Sequence, residues 1–169
     1  MMKRLLASVC LVLTLLVSAH ATTVRRLSFD NLIAKSEAIV AGQVIDSQTY
    51  RTPDGKLILT SYTVQVGEQL KGTTPPTVTV TTVGGRIGNT ILRVSGMPQF
   101  QNGESAVLFL EHSGAYTTVV GLNQGKFSIS NGEVSNTVTG LTFPDGTPGR
   151  ALKMPVDEFK RQIKLRITQ

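Results

Sequence analysis

The chain has 169 residues, 17 Lys and Arg against 11 Asp and Glu, a formal net charge of +6, one cysteine, two histidines and no tryptophan. One cysteine excludes an internal disulfide, and so few Cys and His exclude a zinc site of the four-ligand Cys/His kind. Mean hydropathy and charge are those of an ordinary globular chain; the excess of base over acid suits an anionic lipid, polysaccharide or nucleic acid, and solubility alone accounts for it more simply.

Residues 1–4 are basic, residues 5–17 are apolar, and Ala19-His20-Ala21 is a small-x-small cleavage signal. This is the layout of a secretory signal peptide cleaved after Ala21. The apolar run is shorter than the ~20 residues a spanning helix needs, so no membrane span is expected after cleavage. The expected location is secreted or periplasmic. Removing 21 of 169 residues leaves 148, starting at Thr22, and the loss of Lys3 and Arg4 takes the charge from +6 to +4. The mature chain then has no cysteine and one histidine, His112. Its length suits a single domain over residues 22–169, able to bury roughly 68–70% of its unfolded surface.

In chain order, Ser28 reads as a helix N-cap with Asp30 in the first turn, and Leu27 and Leu32 hold the two positions of a hydrophobic staple. That helix ends near Ser36. Residues 38–47 read as a strand with Val40 and Val44 on one face and Ile39 and Ile45 on the other. Gly42 in its middle marks a bulge or sharp bend. Pro53-Asp54-Gly55 is a turn, and residues 57–69 alternate as a second strand. Residues 77–83 form a third, with Val78 and Val80 inward. Residues 84–89 read as a glycine-dense interstrand loop, and residues 90–94 as a strand after it. The unbroken apolar run Ala106-Val107-Leu108-Phe109-Leu110 reads as a strand buried on both faces, followed by a turn at Ser113-Gly114 and a partner strand over 116–122. Residues 126–130 and 133–135 flank the hairpin turn Asn131-Gly132. Residues 137–149 are turn-rich. A final helix over 155–167 starts with Pro155 at its first position and carries Val156, Phe159, Ile163 and Ile167 as one apolar stripe.

The expected fold is therefore mostly β: a small antiparallel, OB-like β-barrel with a short N-terminal helix and a C-terminal amphipathic helix. Three segments resemble the netrin-like domain family, which includes the tissue inhibitors of metalloproteinases. They are residues 36–44 (SEAIVAGQV), residues 62–66 with Leu70-Lys71-Gly72, and Gly103-Glu104 leading through residues 107–110 to Tyr116. The resemblance spans about Phe29 to Phe127 and implies an OB-type barrel. Inhibitors of that family present an N-terminal cysteine to a protease zinc, whereas this mature chain begins with Thr22 and has no cysteine. The resemblance therefore carries the barrel and not that inhibitory mechanism.

No catalytic constellation stands out. His112 is the one histidine available to a Ser-His-Asp arrangement, and it sits beside a turn. Asp46, Asp54, Glu68, Glu104, Glu111 and Glu133 are spread over separate elements. The Gly84-Gly85-Arg86-Ile87-Gly88 loop has an arginine and potential backbone donors for an anion, but it matches neither phosphate-loop pattern and leads into a strand. Nucleic acid would want aromatic platforms, which are scarce here. The expected function is an exported, non-catalytic binding module for an unknown protein or cell-surface ligand, with no cofactor, metal or nucleic acid. Its candidate contact loops are residues 84–89 and 96–102, with Gly85, Arg86 and Phe100 as contact residues. A secreted protease inhibitor is the alternative, and a carboxylate-based hydrolase a third reading.

Overall fold

The computed structural model describes residues 24–138, 141 and 143–168; the leader pattern and its cleavage position lie outside them. Helix α1 (Phe29–Lys35) starts where the cap chemistry requires, because the Ser28 hydroxyl accepts from the Asn31 N–H at 3.1 Å. Its far end is closed from two sides. The Ser36 N–H and hydroxyl both donate to the Leu32 carbonyl, and Lys71 Nζ donates to the carbonyls of Ile33 and Ser36, each at 2.6 Å. A cation at a helix C-terminus is favourable against the helix dipole.

Strands β1 (Ala38–Arg51) and β2 (Ile58–Lys71) run antiparallel for 14 residues each. β1 is longer than its apolar pattern suggests because Ser47, Gln48, Thr49, Tyr50 and Arg51 all pair with β2, a backbone interaction that requires no buried side chain. Then follow β3 (Thr77–Val83), β4 (Gly85–Ile87), β5 (Thr90–Leu92), β6 (Ser105–Ser113) and β7 (Tyr116–Val119). A short 3₁₀ turn (Leu122–Gly125) leads into β8 (Lys126–Ser130), β9 (Glu133–Ser135), β10 (Lys153–Pro155) and α2 (Val156–Ile167).

Five strands close into a ring in the order β1-β2-β3-β7-β6, with β6 returning to β1. All but one of the ring's seams are antiparallel; β3 and β7 run parallel and meet at one bridge, Val80 opposite Thr117. The main sheet continues from β6 through β8, β9 and β10, while β4 and β5 form a separate hairpin. The fold is thus mostly β, with a short helix at each end, as the sequence leads one to expect.

β6 explains the unbroken apolar run. Ala106, Leu108 and Leu110 point into the ring beside Val40, Val44, Val64 and Val80. Val107 and Phe109 point the other way, into a second core beneath the two helices with Ile39, Phe127, Phe159 and Ile163. A strand shared by two cores cannot alternate apolar with polar. The second core holds a cluster of rings: Phe127 and Phe159 have centroids 4.5 Å apart, and Phe29 lies 5.2 Å from Phe159. A third, smaller cluster joins Val138, Leu141 and Phe143 to Val24 and Leu122.

Gly42 lies at a register shift of β1, and a Cβ there would stand 2.4 Å from the Gln65 carbonyl oxygen. Close backbone approach, rather than an unusual φ, is what demands glycine. A second shift between Val44 and Asp46 turns Ile45 out to 47% exposure, so Ile45 is not the core residue that alternation suggests. The glycine-dense segment is not a plain loop: Gly85–Ile87 and Thr90–Leu92 pair across a Gly88-Asn89 turn. Pro155 ends β10 and occupies the N-cap of α2 rather than its first helical position, and Ile167 is 39% exposed at the end of the stripe. Strands of three residues such as β4, β5 and β10 exist through their partners and leave little periodicity to read.

Candidate functional site

Of the concavities on the ring, two hold residues with candidate chemistry. The first is a cleft of about 310 Å³ between the β4–β5 hairpin and the segment before β6. It brings together the three expected contact residues, Gly85, Arg86 and Phe100, and adds Arg93, which the sequence reading left out. Gly85 lets the hairpin lie close on the sheet: its φ is +140° and a Cβ would stand 2.5 Å from Thr60 Oγ1. Thr60 Oγ1 donates to the Gly84 carbonyl at 2.7 Å and lies 3.0 Å from Thr49 Oγ1. Arg86 pairs with Ile91 across the hairpin, and Arg93 lies two residues beyond Ile91, a diagonal position on the same side. Both arginines are exposed, neither has an ion pair among the described residues, and no carboxylate lines the cleft.

Phe100 is 8% exposed and belongs to the ring's core, with its ring 4.7 Å from that of Tyr62. It forms the floor of the cleft and is not a free loop side chain. The segment carrying it is pinned by Glu104 and Lys126. Lys126 Nζ lies 2.7 Å from Glu104 Oε1, donates to the Gln99 carbonyl and sits 4.5 Å above the Phe100 ring. Glu104 also accepts from the Ser128 hydroxyl at 2.6 Å and from the Gln101 N–H at 3.0 Å. Burial pushes the Glu104 carboxyl up, but the bonds from Lys126 and Ser128 outweigh it and hold the group below its ordinary value.

The second concavity is a groove of about 680 Å³ along the β3–β7 seam, and it contains His112. His112 Nδ1 lies 2.6 Å from Glu37 Oε2, and its backbone N–H donates to Oε1 at 3.0 Å. Those bonds hold the Glu37 carboxyl below its ordinary value. Sequence reasoning missed Glu37, since 75 residues separate the pair. The β1–β6 register, with Ala38 opposite Leu110, is what places them side by side. No serine or threonine hydroxyl is hydrogen-bonded to His112 among the described residues. Glu111 lines the same groove, while Glu68 lies between Lys160 and Lys164, Glu133 pairs with Lys153, and Asp54 caps its own turn. Among the described residues no group of three or more His, Cys, Asp or Glu could hold a metal ion, and no helix is long and apolar enough to cross a membrane.

No protein-family model, curated protein or solved structure matches this chain.

Proposed function

We propose that this chain is an exported binding module that catalyses nothing and holds an anionic group of its ligand in the cleft between Arg86 and Arg93. The observation that carries this reading is the pair of arginines facing one cleft with no ion-pair partner and no lining carboxylate. A guanidinium offers a planar fork of donors that matches carboxylate, phosphate or sulfate oxygens, so two of them converging on a concave surface form an anion receptor. The hydroxyls of Thr49 and Thr60 and the Phe100 floor give the remainder of a polar ligand something to rest on. Export rests on the leader pattern. The likeness to netrin-like domains is carried with this proposal by three segments that fall on α1–β1, β2 and β6–β7.

The test is calorimetric titration of the protein with a sulfated hexasaccharide and with phosphatidylglycerol vesicles, at two salt concentrations. One of the two is expected to bind, more weakly at higher salt. Each charge-assisted hydrogen bond contributes about 1.5–3 kcal/mol, so Arg86→Ala with Arg93→Ala should weaken binding by at least ~100-fold. Binding that survives the double substitution would remove the arginines from the site, and no binding by either probe would refute the anion reading.

A further inference from the structure

The seam groove presents a strand edge that the ring itself does not use. The Gly84 N–H donates to the Ile58 carbonyl, and the Val66 N–H donates to the Pro76 carbonyl. β2 and β3 keep one register between those two bonds, Leu59 opposite Val83 through Gln65 opposite Thr77. In an antiparallel pair hydrogen-bonded positions alternate, so the even-numbered residues of β3 turn their backbone groups toward β2. Thr77, Thr79 and Thr81 therefore turn theirs toward β7. β7 meets this edge at the single bridge of Val80 with Thr117 and begins only at Tyr116, because the chain reverses at Gly114-Ala115. The bridge engages the Thr79 carbonyl and the Thr81 N–H with Thr117, while the Thr79 N–H and both backbone groups of Thr77 have no strand opposite them and open into the groove.

The groove is also one-signed. Glu37, Glu111 and His112 line it, and no lysine or arginine does. The Glu111 carboxylate has no hydrogen bond or ion pair among the described residues. From Thr77 to Thr79 the open edge is about 7 Å long, room for roughly two extended residues to pair before β7 begins.

We infer that this groove binds an extended polypeptide segment carrying a lysine or arginine, whose backbone pairs with β3 at Thr77 and Thr79 while the cation meets Glu111. Strand addition of this kind takes affinity from main-chain hydrogen bonds and specificity from the side chains that flank the edge. The site is separate from the arginine cleft and takes the opposite charge.

The experiment uses the whole protein and two capped heptapeptides, alternating valine with lysine or valine with glutamate, followed by amide hydrogen exchange. The lysine peptide should slow exchange at Thr77 and Thr79 at least tenfold, and the glutamate peptide should not. Glu111→Lys, a substitution on a partly exposed side chain, should weaken the lysine peptide by at least tenfold. Thr79→Pro removes a donor that faces the groove and not β2; it should abolish protection at Thr77, with thermal unfolding used to verify that the ring persists. Arg86→Ala should leave peptide binding unchanged, which separates this site from the cleft. The inference is overturned by absence of protection at millimolar lysine peptide, by equal binding of the glutamate peptide, or by protection of these amides by maltohexaose alone.

Discussion

Lys126→Met tests the reasoning about the cleft floor most directly. The side chains of Lys126 and Glu104 are 12% and 18% exposed, and the ammonium is the only cation paired with that carboxylate among the described residues. Removing it leaves a desolvated negative charge held by Ser128 and the Gln101 N–H. Breaking a buried pair from one side costs about 3–5 kcal/mol, and the remaining exposure places this case near the lower end, ~3 kcal/mol. With a urea slope of ~2 kcal/mol/M, the unfolding midpoint should fall by ~1.5 M at pH 7. Adding Glu104→Gln removes the stranded charge and should recover at least half of the loss. The pH dependence has a definite sign. In the native protein the Glu104 carboxyl titrates below its unfolded value, so its stabilisation is present above that value and is lost as pH falls through the folded one. In Lys126→Met burial remains without the ammonium, the carboxyl titrates higher, and the deficit relative to the native protein should narrow between pH 7 and ~4. A midpoint shift under ~0.3 M, or a deficit that stays constant with pH, would refute the account.

Three further substitutions probe the scaffold. Phe159 is fully buried against Phe127, Phe29 and Phe109, so Phe159→Ala should cost about 3–5 kcal/mol and lower the calorimetric Tm by roughly 10 °C. Gly42→Ala would place a Cβ 2.4 Å from the Gln65 carbonyl oxygen and 2.9 Å from Val64 Cγ1; urea unfolding should show a loss of about 3 kcal/mol, and a neutral result would mean the bulge relaxes freely. Ser28→Ala removes the cap of α1 and should cost ~1 kcal/mol, with faster amide exchange at Asn31 and none of the change seen at β6.

The sequence by itself determined the elements whose signals are local. The Ser28 cap, the Pro53-Asp54-Gly55 and Asn131-Gly132 turns, the third strand over residues 77–83 and the double-faced run at Ala106 to Leu110 all depend on residues within a few positions of one another, and the structure has each of them. Gly42 announced its bulge because a missing side chain in a strand has few other uses. What only the tertiary structure decided depends on pairing between distant residues. Nothing near Phe100 in the chain says that it plugs the ring against Tyr62, or that Lys126 holds it there. Arg93 joins Arg86 through the β4–β5 register, and Glu37 meets His112 through the β1–β6 register. The open half of the β3 edge is the clearest case. Its alternating sequence is that of any half-buried strand, and whether its outward backbone groups are covered is settled by where β7 begins, some 40 residues later in the chain.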